Sequence, residues 1–548
     1  MRSKEENIKL AGLLFPKVTM SPQDLFKKYP KRDLKDDALV VRFAPSPTGF
    51  LHVGTVFTSL IDRKLADQTG GVCILRIEDT DKSREIEGGI DLMINGLSEF
   101  GIEFDESVNS GEYGPYIQSE RLDIYNVFAK DLVSKGFAYP CFSTTEELEE
   151  VRKKQNKLGV RTGCYGKFAK WREASLEEVK SMLNNGKEFV IRLFSTGDNS
   201  VKFEFDDEIK GRCTFAQNDM DVVLLKSDGY PTYHLAHPID DILMGINLVV
   251  RTYEWFPSVP LHLELFEKLG FGKVKYAHAS PLMKIENGNR RKLSKRKDPE
   301  VDTRYLTEHG YPTVAILEYF LNIMNSNFAD WRIQNPDLAY TEFNLKLEKF
   351  NRAGALFDMV KLENVCKEYI ARLTAQDVYD KTLRWAQKFD TELVNRLEEN
   401  REYCIKILNI EREGSKIRKD IVKWEDVNSQ FEIFFDDIYD ELDSEDMPKG
   451  ISKEDVEKIL NSFLGTYDEG DDVTTWFEKI KIIGTNLGFT SDYKAYKKNP
   501  AKFKGKVGDI AMVLRIVLTK KSQTPDLYQV MQVMGREKVE ARLRGFVI

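Results

Sequence analysis

Cysteine is scarce in this chain, six in 548 residues, and the six stand far apart in no dense spacing pattern. A disulfide-stapled secreted fold is excluded on that ground, and the thiols are expected to be reduced. Long apolar runs are missing as well, since none approaches the roughly eighteen residues that span a bilayer. The N-terminus holds one short apolar stretch, Leu10 to Phe15, preceded by Glu5 and Glu6. That is a poor secretory signal, and its acidic pair argues against a mitochondrial presequence, so a cytoplasmic location is expected. Repeats at solenoid periods and low-complexity tracts are absent too. Nor is there an excess of positive charge: 81 Lys and Arg against 89 Asp and Glu leave −8. That argues against nucleic-acid binding over the whole surface and leaves the task to local basic patches.

What is present is a globular composition, 41% hydrophobic and 31% charged, in a chain long enough for roughly three or four domains. The first 38 residues are polar and Lys/Asp-rich, and read as an appended arm. Leu39 to Phe43 is a short β-type run, followed by a loop rich in Pro and Gly. From Thr55 to Gln68, Phe57, Leu60, Ile61 and Leu65 share one helical face. Gly70 and Gly71 stop that helix, Val72 to Ile77 reads as a second strand, and a helix carrying Met93, Leu97 and Phe100 follows. This order indicates an α/β domain with a parallel sheet. A mixed segment, 116–215, interrupts it. The α/β signals resume with Asp221 to Lys226 and Leu248 to Arg251, both read as buried strands. Beyond Arg296 the pattern is almost wholly helical, and the acidic run from Asp436 to Asp446 reads as a solvated face or loop.

Two elements carry chemistry. The first runs Arg42-Phe43-Ala44-Pro45-Ser46-Pro47-Thr48-Gly49-Phe50-Leu51-His52-Val53-Gly54-Thr55. Its prolines fix the loop, and Gly49 and Gly54 let the backbone approach a bulky ligand. A helix opening near Thr55 turns its N–H groups and positive dipole end toward the loop, which suits a phosphate or an adenine nucleotide. His52 would donate a hydrogen bond as charge builds on the phosphates. Taken alone, His-x-Gly-Thr is better explained as an ordinary turn with a capping Thr. The second element is Arg291-Lys292-Leu293-Ser294-Lys295-Arg296-Lys297. Taken alone, it is better explained as a solvated basic loop. Ser294 between lysines is more suggestive, a hydroxyl beside two cations that could clamp a triphosphate. Lys292 and Lys295 would stabilise the α-phosphate and the leaving pyrophosphate, with Mg2+ sharing the charge.

Together, about 240 residues apart with an insertion between the halves of an α/β fold, the two elements resemble the signatures of class I aminoacyl-tRNA synthetases. Thr55 in place of a second His, and the preceding Arg-Phe-Ala-Pro-Ser-Pro-Thr-Gly, match the glutamyl branch of bacterial type. Leu75 to Asp81, Leu224 to Ala236, and Asp240-Asp241 with Met244-Gly245 agree. The likeness covers nearly the whole chain. It implies a Rossmann-type catalytic domain (39–115 and 216–290) split by an acceptor-binding insertion (116–215). After these come a stem-contact domain (291–370) and an all-α anticodon-binding region (371–548), with 1–38 as an N-terminal extension.

The resemblance further implies ATP-dependent activation of L-glutamate and its transfer to tRNA-Glu, with tRNA-Gln left open, by a monomer using ATP and Mg2+. ATP would meet Gly49, His52, Gly54, Thr55, Glu254, Lys292, Ser294, Lys295 and Arg296. Glutamate would meet Arg42, Ala44, Ser46, Glu78, Tyr233, His237 and Arg251. The chemistry agrees independently: Arg42 and Arg251 offer bidentate forks to carboxylates, Glu78 suits an ammonium, and Ser46 and Tyr233 carry hydroxyls. Alternatively, Glu78 could pair with Arg76 or Arg84, and Tyr233 could be a core aromatic. Departures from the family pattern are His237, where an Asn is usual, and Thr252-Tyr253 for Gly-Glu. Cys141 lacks the second thiol of the zinc-binding relatives, and with Cys164 makes only two, so no zinc is expected. Lys494, Lys497, Lys498, Lys502, Lys504 and Lys506, mixed with Tyr493, Tyr496 and Phe503, suit phosphate contact and stacking, and equally a solvated linker. A glutaminyl enzyme would carry a second His in the first element. A non-catalytic RNA-binding relative would have lost His52 or the lysines, and a small-molecule adenylate-forming ligase would not need the helical domains.

Overall fold

In the computed structural model, which describes residues 2–47, 51–81, 88–294, 297–414 and 417–546, Ser3 and Ser21 each cap a helix. These are Lys4–Leu14 (α1) and Pro22–Lys28 (α2), each opened by a capping box that Glu6 or Asp24 completes. Their apolar stripe puts Leu10, Ala11, Phe15, Leu25 and Tyr29 into one core with Ile124, Phe128 and Leu132. The segment expected as an appended arm is therefore part of the core. Its stripe is narrow and outnumbered by Lys and Asp, so composition concealed it. Arg32 fastens the segment further, donating to the Met244 carbonyl at 2.8 Å and pairing with Glu106 at 2.7 Å.

The β-branched run that follows forms Val40–Phe43 (β1). It pairs in parallel with Val72–Leu75 (β2), Val40 opposite Val72 and Phe43 opposite Leu75. The crossover is Val53–Thr69 (α3), which buries Val56, Phe57, Leu60, Ile61 and Leu65. Gly70 ends it in the left-handed region at φ 61°. Gly71 allows β2 to start against its neighbour, since a Cβ there would lie 1.9 Å from the Leu39 carbonyl oxygen. Gly89–Glu99 (α4) follows as the spacing predicts.

The insertion brings Leu122–Ser134 (α5), Ala138–Cys141 (β3), Thr145–Lys157 (α6), Leu176–Asn184 (α7), Val190–Leu193 (β4), Lys202–Asp207 (β5), Gly211–Ala216 (β6) and Val223–Leu225 (β7). β4 pairs antiparallel with both β3 and β7, and β5 with β6 forms a hairpin. The run Asp221 to Lys226 is thus not a strand of the nucleotide sheet. It completes the insertion's own sheet, beyond the boundary expected at Phe215. A short apolar run shows only that a strand is buried, not which partner buries it.

Tyr233–Leu243 (α8), Leu248–Thr252 (β8), Val259–Leu269 (α9) and Lys275–Ala279 (β9) make the second α/β half, with β8 parallel to β9. Asn247 joins the halves: its N–H donates to the Val40 carbonyl at 3.1 Å, and its side-chain oxygen accepts from the Val40 N–H at 2.9 Å. On α8 the neighbouring Asp240 and Asp241 are fully buried and face different elements. Asp240 accepts from Arg121 at 2.7 Å, Tyr125 at 2.8 Å and Gln118 at 2.9 Å, fastening the start of the insertion to α8. Met283–Glu286 (β10) and Asn289–Lys292 (β11) then form a hairpin.

These elements belong to a unit of Met1–Tyr305 with Leu317–Asp358; the other unit is Leu306–Ile316 with Met359–Ile548. The first takes in most of the stretch read as a separate domain at 291–370. The second is helical apart from Phe489–Thr490 and Gly505–Lys506, which pair in parallel among the described residues. Its helix Val507–Thr519 buries Val513, Leu514 and Val517. Asp436, the first carboxylate of the acidic run, pairs with buried Arg542 at 2.7 Å and so tethers the run at one end.

Removing one partner of a buried ion pair strands the other charge, at a cost of about 3–5 kcal/mol. Asp240→Ala is expected to destabilise the first unit by that amount, measured as a fall in its thermal-melting midpoint. An unchanged midpoint would refute the anchoring role.

Candidate active site

The site is organised around Asp241. Its carboxylate accepts from the Arg42 Nε at 3.2 Å and from the Arg76 Nη1 at 2.5 Å, and its Oδ2 lies 2.7 Å from the His237 Nδ1. Burial works against its charge, yet the guanidinium groups of Arg42 and Arg76 hold its carboxyl well below the usual range. Arg42 also donates to the Val250 carbonyl at 3.1 Å, so β1, β8 and α8 meet at one fork. Arg76 reaches on to Glu78 at 3.1 Å, and burial, opposed by Arg76 and then Arg42, raises the Glu78 carboxyl above its ordinary value.

Arg42, Ala44, Glu78, Tyr233, Arg251 and Trp255 line a cavity of about 140 Å3. Arg251 is 6% exposed and its hydrogen-bond partners among the described residues are all neutral. Its Nε donates to the His278 Nε2 at 2.8 Å and its Nη1 to the His262 Nδ1 at 3.0 Å. Nη1 also reaches the Tyr233 hydroxyl, and Nη2 the Trp255 carbonyl, each at 3.3 Å. A guanidinium only donates, which assigns both ring nitrogens as acceptors. His278 then carries its proton on Nδ1, facing Asp207 at 2.6 Å, and His262 on Nε2, facing the His234 Nδ1 at 3.1 Å. Burial pushes His234 down to about 4 and His262 and His278 below their ordinary value, consistent with neutral rings.

His237 is placed differently from its sequence expectation. It is fully buried, with Nε2 2.8 Å from the Tyr276 hydroxyl and Nδ1 on Asp241, and its ring stacks behind Tyr233. Burial, opposed by Asp241, pushes it down to about 3. It supports the cavity wall through Tyr233 and Asp241 instead of lining it.

A cleft of about 420 Å3 adjoins this cavity, the two sharing Phe43, Thr58 and Thr252. Ser46, His52, Gly54, Thr55 and Lys292 line it. The cap of α3 is His52 and not a threonine: its Nδ1 accepts from the Gly54 N–H at 2.8 Å. A Cβ on Gly54 would stand 3.0 Å from that nitrogen, so glycine keeps the cap open. With Nδ1 accepting, the neutral ring carries its proton on Nε2. Lys292, at the end of β11, pairs with Glu254. Asp298 anchors the segment that follows, accepting from the Arg291 guanidinium at 2.6 and 2.7 Å and from the Ser294 N–H at 3.0 Å. Gly49, Lys295 and Arg296 lie outside the described residues.

The structure thus gathers Arg42, Ala44, Glu78, Tyr233 and Arg251 around one cavity, and Ser46, His52, Gly54, Thr55 and Lys292 around the adjoining cleft, with Glu254 against Lys292. Sequence reasoning missed Asp62, His262, His278 and Asp298. No local spacing marks them, because each becomes informative only through a partner distant in sequence.

Residues 38–354 match the family model described as tRNA synthetases class I (E and Q), catalytic domain, and residues 490–547 match an anticodon binding domain. A glutamate–tRNA ligase of Clostridium perfringens is 46% identical over 545 residues, 98% of this chain and 99% of that protein. One of Acetivibrio thermocellus is 46% identical over 543 residues, again 98% and 99%. Among solved structures, a glutamate tRNA ligase of Elizabethkingia meningosepticum in complex with its amino acid matches with a TM-score of 0.73 at 27% identity, covering 93% of this chain and 99% of that one. A catalytic-domain match over more than half the chain, and relatives of this identity along nearly all of it, make one conclusion: the chain belongs to the class I tRNA synthetases of the glutamate and glutamine (E and Q) type.

Proposed function

We propose that the chain is a glutamate–tRNA ligase that activates L-glutamate with ATP and transfers it to the terminal adenosine of tRNA-Glu. The observation that carries the choice of amino acid is Arg251, a buried cation satisfied only by neutral acceptors among the described residues. Such a group favours an anionic ligand, and the glutamate side chain supplies one. Neutral glutamine would leave that charge uncompensated, which discriminates strongly in a desolvated cavity. Tyr233 accepts from Arg251 and so keeps its own hydroxyl proton to donate. Glu78 takes the ammonium, and Arg42, fixed by Asp241, keeps the wall beside it cationic.

In the first step the α-carboxylate oxygen attacks the α-phosphorus of ATP, the bond to the β-phosphate bridging oxygen breaks, and pyrophosphate leaves. His52 donates from Nε2 as negative charge builds, and Lys292 and Lys295 stabilise the departing pyrophosphate. Mg2+, when present, would supply Lewis-acid charge to these phosphates beside the lysines. In the second step the 2′-hydroxyl of the terminal adenosine attacks the acyl carbon, the bond from that carbon to the phosphate oxygen breaks, and AMP leaves with the hydroxyl proton passing to its phosphate. The insertion is the clamp for the single-stranded acceptor end, and the helical second unit reads the anticodon. There Lys506 stands 5.8 Å from the Tyr493 and Tyr496 ring centroids, a mixture of cation and aromatic surface suited to RNA. The protein acts as a cytoplasmic monomer without zinc, Cys164 standing 3.7 Å from the Tyr139 hydroxyl beside Asp221.

Aminoacylation of purified tRNA-Glu with labelled glutamate and glutamine is expected to favour glutamate by about 10^4-fold, the scale of a buried polar pocket rejecting a mismatched group. Preferential transfer of glutamine would overturn the assignment. Arg251→Gln is expected to raise the glutamate KM about a hundredfold or more while the ATP KM stays near its original value; normal glutamate kinetics would exclude its pocket role. Lys295→Ala should slow ATP–pyrophosphate exchange with little change in tRNA affinity. A large loss of tRNA binding at unchanged rate would count against its role in activation.

A further inference from the structure

One further carboxyl group lines the cavity. Asp62 lies on α3, one turn beyond Thr58, and both residues line the cavity with Arg42, Glu78, Tyr233 and Arg251. It is 2% exposed, and its Oδ1 is buried with no hydrogen-bond partner among the described residues. A buried polar atom left in that state is costly unless a ligand completes it. The charged and titratable groups that share the cavity with it, or act on it electrostatically, come from every neighbouring element. Arg42 comes from β1, Cys73 from β2, Glu78 from the segment after β2, Tyr233 from α8 and Arg251 from β8. Arg42 is already committed to Asp241 and the Val250 carbonyl, and Arg251 to its histidines. None of these cations makes an ion pair with Asp62 among the described residues.

We propose that Asp62 is a specificity-determining residue of the amino-acid cavity that acts as a neutral carboxylic acid, donating its O–H to the side-chain carboxylate of bound glutamate. This rests on the reading of the cavity as the glutamate site. An ionised Asp62 would set a like charge beside the incoming carboxylate in a poorly solvated space, where such repulsion is strong. In its protonated form the same atom becomes a donor, and the orphaned oxygen gains a partner when the substrate enters. Burial, opposed by Arg42, raises the carboxyl well above its ordinary value, in keeping with that form. The proton stays on Asp62 throughout binding and adenylation; no bond is made or broken at it. The cavity then meets the two charged ends of glutamate with different chemistry. Glu78 is the anion for the ammonium, while Asp62 is a donor that adds no charge to the cavity.

The test compares glutamate KM in full aminoacylation, with tRNA and ATP saturating. Asp62→Leu keeps the branched shape and removes the donor, and should raise KM about tenfold to a hundredfold, the worth of a hydrogen bond to a charged group. Asp62→Asn supplies a neutral N–H donor and should bring KM back to within about threefold of the parent. Asp62→Ala serves as a second donorless variant if the leucine variant shows no folded melting transition. An Asn variant as impaired as the donorless ones would mean that Asp62 works as an anion, and would overturn the proposal. Donorless variants with unaltered KM would overturn it too. Arg251→Gln in the same assay separates the two levels. If its KM is unchanged, the cavity reading fails; if it rises while the Asp62 series departs from expectation, the Asp62 proposal alone fails.

Discussion

Asp241 is the charge on which the rest of the site depends. It is wholly enclosed, and the three groups bound to it come from β1, from the segment after β2 and from α8 itself. A carboxylate in such a place is tolerable only when cations and hydrogen bonds surround it, and removing any one strands the others. The consequence is geometric: Arg42 cannot turn away from the cavity without leaving Asp241, and β1 cannot slide along β8 without carrying Arg42 from the Val250 carbonyl. The ionic cluster therefore positions side chains, a more secure role than net stabilisation. Asp240, one residue earlier, applies the same logic to the insertion through Arg121 and Tyr125.

The elements with strong periodicity were legible in the sequence. The first strand, its crossover helix, the Gly70-Gly71 stop and the second strand fall within a few residues of expectation, because each rests on local apolar spacing or glycine geometry. Two readings failed where the deciding partner is remote. The N-terminal helices carry their apolar stripe among many lysines, and only the core around Phe128 reveals that it is buried. Val223–Leu225 looked like a strand of the nucleotide sheet, yet it pairs with Val190–Leu193 in antiparallel. At the site, motif residues and pocket arginines could be named from their chemistry. Their fixed partners could not, since Asp241 stands 199 positions from Arg42 and Asp207 lies 71 from His278.

The departure at His237 has a physical account. An amide at that point would be a polar wall group with donors and acceptors to share. The imidazole instead lies between Asp241 and the Tyr276 hydroxyl and presents its ring face to Tyr233. The wall is thus supported from behind by a neutral, stacked ring. Arg251 receives the same treatment from His262 and His278. A buried arginine among neutral acceptors keeps its full charge for whatever enters, whereas Arg42 shares its charge with Asp241.

The cap at the start of α3 limits how the His52 ring can handle protons. With Nδ1 of His52 bound to the Gly54 N–H, the imidazole can hold only one proton, on Nε2, for as long as the cap persists. To surrender it would leave an imidazolate, and to gain another would break the cap. The ring is a donor of fixed valence and not a reservoir. That suits adenylation, in which a carboxylate displaces a pyrophosphate and no heavy atom needs to exchange a proton with the protein.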